Sequence, residues 1–167
     1  MKIITDTIHL NKVCDPVDYK TSKQIANKMI LFMLSHKNIN DNSIGLACNQ
    51  LGLPGRIIIV KIKNKWVRFI NPVICYKSED TIITEESCLS VPNKTIKVER
   101  SKEITIYFEK GNHDGNHGWE SHYKGMDAIV IQHEIDHLNG IIITDKDDIE
   151  TEKFIEDNYK LNKWSNK

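Results

Sequence analysis

The sequence predicts an α+β domain: short, mostly antiparallel strands packed around a central helix that carries an HExxH motif, with an N-terminal helix and a C-terminal helix. Three observations lead there. Between Arg56 and Lys110, β-branched and aromatic runs too short for helices recur between polar turn segments. Two stretches, "VDYKTSKQIANKMILFMLSHK" and "GMDAIVIQHEIDHL", repeat their apolar residues at helical spacing instead. Finally, 167 residues are enough for one core and short for two, so residues 1–167 are expected to form a single domain.

In chain order, the first helix is expected over 17–37, with Ile25, Met29, Phe32, Met33 and His36 on its covered side. After the polar break "NINDNS", the glycine-rich "IGLACNQLGLPG" suggests a shaped loop. "RIIIVKIK" and "WVRFINPVICY", separated by Asn64 and Lys65, suggest a hairpin, and "TIITEE", "TIKVER" and "EITIYFEK" are further strands. "GNHDGNHG" reads as a polar, solvated loop holding His113 and His117. The second helix runs from Gly125 to Leu138 and is ended by Gly140, and "GIIIT" is a last short strand. Phe154, Ile155 and Tyr159 recur at helical intervals in an otherwise charged tail, 147–167, which gives the C-terminal helix.

Composition narrows the function. Hydrophobic residues make up 40% and charged residues 28%, an ordinary globular balance. With 23 basic and 23 acidic residues there is no basic excess for phosphate binding, so no direct nucleic-acid partner is expected. No apolar run approaches the roughly 20 residues that span a bilayer, and the N-terminus lacks the pattern of a secretory or organellar presequence. A cytoplasmic protein without membrane contact is expected. Cys14, Cys48, Cys75 and Cys88 stand far apart with no CxxC pair, so reduced thiols are expected, Cys14 and Cys75 as small buried residues.

Chemistry concentrates in "QHEIDH". On a helix, residues four apart point about 40° from one another, so His133 and His137 can grip one ion. Glu134 then stands beside the ion without having to ligate it, the placement of a base acting on water. His113 and His117 share that spacing, but the glycines around them argue against an aligned pair. The extended zinc-protease motif HExxHxxGxxH has its glycine at Gly140, yet its last ligand position is Ile143, which cannot bind metal. A thermolysin-like site would draw a ligand from Glu150 or Glu152 in the tail. Upstream, Cys88 in "EESCLSVP" could complete a Cys/His/His set that leaves a coordination position open.

Three blocks in this order, "SIGLACNQLG", "EESCLS" and "QHEIDHLNG", closely resemble the signature motifs of peptide deformylases, and the resemblance extends from "DPV" through "FINPVI" to the third block. It implies removal of the N-formyl group from the formylmethionine of nascent polypeptides, with release of formate. It also implies one divalent ion on Cys88, His133 and His137: Fe2+ physiologically, with Zn2+, Ni2+ or Co2+ able to occupy the site. Glu134 would be base and acid, and the Gln50 amide and Leu89 N–H would face the developing oxyanion.

Counting back from His133 by three, four and seven gives Val130, Ile129 and Met126 on one helical face, a candidate methionine pocket together with Ile44. The backbone at Ile44 and Gly45 is suited to pair with an extended peptide. Glu86 and Arg100 are expected to form an ion pair bracing the cysteine segment, with Asp136 and Gln132 orienting the ligands. The partners so implied are N-formylmethionyl nascent peptides and the ribosome, for a monomeric enzyme. Against the family pattern, Ser43 and Ser87 replace glycines and Cys48 replaces an alanine. A serine in a glycine position raises the question of positive φ or close backbone approach. A metallopeptidase and a noncatalytic metal- or peptide-binding homologue are the competing readings.

Overall fold

The computed structural model describes residues 1–36, 44–112 and 115–146, without the side chains at 111, 112 and 115–117. The expected C-terminal helix over 147–167, Ser43, and Glu150 and Glu152 lie outside the described residues.

Two helices lead into the sheet. A single turn, α1 (Thr7–Leu10), follows Asp6, whose carboxylate accepts from the Ile8 N–H. Helix α2 (Tyr19–Ser35) starts where Asp18 caps it, accepting from the Thr21 N–H at 2.9 Å. It buries Ile25, Ala26, Met29, Phe32 and Met33, but His36, expected on the covered side, follows the last helical residue and is exposed, stacked on the Phe32 ring at 4.2 Å.

The glycine-rich segment after α2 contains regular structure: strand β1 (Gly45–Ala47) and a 3-10 turn, Cys48–Leu51. Strands β2 (Ile57–Ile62) and β3 (Lys65–Lys77) form the expected hairpin. Lys63 and Asn64 turn it, both at positive φ, as a tight turn matched to strand twist requires. Strands β4 (Thr81–Cys88) and β5 (Val91–Ser101) pair with each other in a separate two-stranded sheet. Strands β6 (Glu103–Asn112) and β7 (Gly115–Lys124) complete the main sheet in the order β1-β2-β3-β6-β7, every neighbouring pair antiparallel.

Two expectations are corrected here. Of the expected polar loop, 111–112 instead end β6 and 115–118 begin β7, with Lys110 paired to His117 in the ladder; His113 lies outside the described residues. "GIIIT" is not a strand. Ile141, Ile142 and Ile143 are buried, but the backbone closes into a 3-10 turn, Ile143–Asp145.

Helix α3 (Gly125–Leu138) lies against β1, β2, β3, β5, β6, β7 and the Cys48–Leu51 turn. Ten of its fourteen residues are buried, so it is an interior helix rather than an amphipathic surface one. Ile131, Ile135 and Leu138 join the same core as Met29, Phe69 and Phe108, each buried side chain contributing about 1.5–3 kcal/mol. After it the chain reverses at Gly140, φ +75, where a Cβ would stand 2.7 Å from the Asn11 carbonyl oxygen, so only glycine fits. Of the four thiols, Cys75 is exposed and Cys14 half-buried, which corrects their expected burial. Among the described residues no helix is long and apolar enough to cross a membrane.

Candidate metal centre

His133 and His137 stand one turn apart on α3, their ring centroids 5.1 Å apart. Cys88 reaches them from the end of β4 through a break in pairing. The ladder runs in step to Ser87, opposite Thr95, and then jumps so that Cys88 faces Val91. Such a bulge re-aims a side chain, and here it points the thiol at the helix. The Cys88 Sγ lies 3.2 Å from His137 Nε2, and one ligand atom from each of Cys88, His133 and His137 falls within 4.8 Å of the others.

Charged groups brace this trio from behind. His133 Nδ1 is 2.8 Å from Glu86 Oε2, which holds the Nδ1 proton and orients the ring. Burial pulls this imidazole down, but its bonds to Cys88 and Glu86 outweigh that and hold it at about 10, so ligation through Nε2 requires the second ring proton to leave. Arg100 grips Glu86 with two parallel bonds, Nε to Oε1 and Nη2 to Oε2, both 2.8 Å. Its third branch, Nη1, bonds Asp136 Oδ2. Lys146 Nζ lies 3.1 Å from that same oxygen.

The opposite wall is the turn after β1. Gln50 accepts the Ala47 N–H through Oε1 at 2.9 Å, and donates through Nε2 to Ser90 Oγ at 3.1 Å and towards Cys88 Sγ at 3.6 Å. Asn49 donates to the His137 carbonyl at 2.7 Å, pinning the helix beside its second histidine. Gly45 rests on Glu134, leaving no room for any side chain.

A cleft of about 680 Å³ opens onto these groups. It is lined by the apolar Ile44, Leu89, Met126, Ile129 and Val130 and by the polar Gln50, Cys88, His133 and Glu134. Met126 is 61% exposed, whereas Ile129 and Val130 are buried, so Met126 forms the rim and the other two the floor.

Burial sets the electrostatics. It pushes the Glu134 carboxyl up to about 7, against the pull of a charged His133, and Glu134 Oε2 has no hydrogen-bond partner. Burial lowers His137 to about 3, keeping its imidazole neutral as ligation demands. For Glu86 burial also pushes upward, but the bonds from Arg100 and His133 outweigh it and hold the carboxyl at about 2. Asp136 follows the same pattern: Arg100 and Lys146 overcome burial and keep it below the usual carboxylate range, with a smaller pull from Lys77.

One thiol and two imidazoles, with an unpaired carboxylate beside them, suit a divalent ion of the zinc or ferrous type. Three protein donors leave a position open for water or substrate, which distinguishes a catalytic site from a structural one.

The structure thus brings together Cys88, His133, His137, Glu134, Gln50, Leu89, Ile44, Gly45, Met126, Ile129 and Val130, with Glu86, Arg100 and Asp136 behind them. Gln132 differs from expectation: its side chain bonds Ser101 N and O and the Ala128 carbonyl, so it ties α3 to β5 and touches no ligand. Ser87 has φ outside the left-handed region, and its hydroxyl lies 3.0 Å from Thr95 Oγ1 across the hairpin, so serine causes no backbone strain there. Cys48 is wholly buried, with its thiol on the Gly55 carbonyl. Asn49, Ser90 and Lys146 were not foreseen. Ser90 sits within the cysteine block and Asn49 within the first block, directly before Gln50, but nothing in the sequence marks Lys146.

Residues 2–153 match the family model described as polypeptide deformylase. A peptide deformylase from Pseudothermotoga lettingae is 45% identical over 136 residues, which cover 78% of this chain and 77% of that one. Among solved structures, the Met-Ala-Ser-bound class I type b peptide deformylase from Acinetobacter baumannii superposes with a TM-score of 0.75 at 26% identity, covering 87% of this chain and 97% of that chain. The actinonin-bound structure of class I type b peptide deformylase from the same organism gives a TM-score of 0.74 at 29% identity, with the same coverage.

Proposed function

The chain belongs to the polypeptide deformylase family, and from that premise we propose which residues perform the reaction, with which metal and on which partners. The activity itself is metal-dependent hydrolysis of the N-formyl group on the N-terminal formylmethionine of nascent polypeptides, releasing formate.

Cys88, His133 and His137 hold the ion. One observation carries this reading: three donors of ligand type converge within 4.8 Å, directly beside a buried carboxylate whose Oε2 has no partner. When bound, a divalent ion supplies Lewis acidity, making water a better nucleophile and polarising the formyl carbonyl. The donor set by itself suits zinc, and the family resemblance instead points to Fe2+ as the physiological ion, with Zn2+, Ni2+ or Co2+ able to occupy the site.

Glu134 moves the proton. Its buried carboxyl, with no hydrogen-bond partner at Oε2, takes a proton from the attacking water and hands it to the departing amine nitrogen. Gln50 Nε2 and the Leu89 N–H donate to the formyl oxygen as negative charge builds there. The Gln50 amide is already oriented by Ala47 and Ser90, so little reorganisation is needed at the moment of reaction. Ile129 and Val130 floor the pocket for the methionine side chain and Met126 closes its rim. The backbone at Ile44 and Gly45 aligns the peptide as an added strand, which demands little of the residues after methionine.

Glu86, Arg100 and Asp136 fix the ligands. Residues 1–167 act as one catalytic domain, monomeric and cytoplasmic, meeting nascent chains near the ribosome without binding nucleic acid directly. Formate release from formyl-Met-Ala-Ser by anaerobically iron-loaded wild type, and its loss in Glu134→Ala, tests the assignment. Cleavage of the peptide without formate would replace it with a metallopeptidase, and bound metal with no turnover by either protein would indicate a noncatalytic homologue.

A further inference from the structure

We propose that Lys146 is a positioning residue of the metal centre, the fourth member of a buried, charge-balanced cluster that holds His133 in its ligating orientation. The inference rests on the ligand assignment above and extends it to the end of the described chain.

The Lys146 side chain is 4% exposed, although lysine is among the residues least often buried. Its ammonium lies 3.1 Å from Asp136 Oδ2, the oxygen that also accepts from Arg100. From there the contacts form one line: Asp136 to Arg100, Arg100 to Glu86, Glu86 to His133 Nδ1. Glu86 and Asp136 carry two negative charges. Arg100 sits between them and supplies one positive charge, Lys146 supplies a second at the Asp136 end, and Lys77 adds a weaker pull on Asp136. Buried charges are tolerated when paired and costly when one partner is removed.

Without Lys146, Arg100 would face two buried carboxylates. Asp136 would then compete with Glu86 for the guanidinium, and Glu86 is what sets the proton and ring orientation of His133. Lys146 is not among the residues lining the cleft, and its contact with Asp136 connects it to the metal centre through this relay. The lysine is held in place independently of the relay. The Asp145 carboxylate bonds the Asn11 amide and the Ile142 N–H, both at 2.9 Å, and anchors the turn that presents Lys146. A carboxylate bonded directly to a ligating histidine typically changes metal affinity by about 10–100-fold when removed; Lys146 acts on that carboxylate through Asp136 and Arg100, so the low end of the range is expected.

The test is anaerobic cobalt binding, read from the thiolate-to-cobalt absorption band and by competition with a chelator, together with thermal unfolding of the same samples. Lys146→Met should bind cobalt about tenfold more weakly, Lys146→Arg should stay within about threefold of wild type, and Lys102→Ala, on an exposed ion pair, should not change. Folded Lys146→Met with wild-type affinity would overturn the proposal, as would a loss of affinity in Lys146→Arg equal to that in Lys146→Met. Should Lys146→Met not fold, the double variant Lys146→Met/Asp136→Asn restores neutrality. Folding and near-wild-type cobalt affinity in that variant would support charge balance, and failure of either would refute it. A wild-type protein that takes up cobalt without the thiolate band would instead refute the ligand assignment itself.

Discussion

Gly45 and Glu134 are in direct contact: a Cβ added at residue 45 would stand 2.9 Å from both Cγ and Cδ of the Glu134 side chain, and closer still to its carboxylate oxygen. The strand thus acts as a template for the proposed proton carrier. Gly45→Ala should displace the carboxylate and lower kcat by roughly 10²-fold, the scale of a misplacement near 1 Å. Cobalt affinity, set by other residues, should change little. Retained kcat in that variant would mean that Glu134 does not need this support.

Gln50 offers a second separation of roles. Gln50→Ala removes a donor aimed into the cleft and the acceptor of the Ala47 N–H. A fall in kcat of about 10²–10³ with KM nearly constant is expected if the amide acts on developing charge. A change confined to KM would reduce it to a ground-state contact.

Glu134 should also cost stability. Its folded value of about 7 exceeds the ordinary 4.5, so the fold disfavours the charged form. Below about pH 4.5 the carboxyl is protonated in both states and the cost is absent; it grows as pH rises and is complete above about pH 7. Metal-free Glu134→Gln should therefore exceed wild type by roughly 3 kcal/mol at pH 9 and by little at pH 4. Urea denaturation at the two pH values checks this, and an equal difference at both would contradict it.

Glu86 has the opposite sign. Its carboxyl is held at about 2 by Arg100 and His133, below the ordinary 4.5. Its contribution is present above about pH 4.5 and lost as pH falls towards 2. Wild type should lose on the order of 3 kcal/mol across that window, and Glu86→Gln should begin less stable and show a flatter acid limb. Parallel limbs would mean that another carboxylate dominates.

The helices were legible because burial follows the 3.6-residue period: Ile25, Met29 and Phe32 could be placed on one face without knowing what covered them. His133 and His137 were legible for the same reason, since four-residue spacing on a helix is already geometry. Cys88 was found by its block but not by its aim, which depends on a pairing jump after Ser87. Strand β7 escaped notice because "GNHGWESHYK" has little apolar alternation; its place is supplied by ten paired partners on β6. "GIIIT" misled in the other direction. A β-branched run says that residues are buried without saying whether they pair, and Ile141–Ile143 are buried in a turn. Asn49 lies in the first motif block, but its bond to the His137 carbonyl is not written there, and Lys146 carries no local signal, because each acts on a residue distant in sequence.

The jump between Ser87 and Cys88 makes the metal centre a reader of strand register. Side chains alternate across a strand with period two, so one residue gained or lost in β4 before Cys88 would turn the sulfur to the opposite face of the hairpin. Glu86, two positions earlier, would turn with it, and sulfur donor and histidine brace would leave together. Lengthening is therefore tolerable only where the ladder does not transmit it. The hairpin's tolerance of length change is set by its chemistry at one end rather than by its packing along the way.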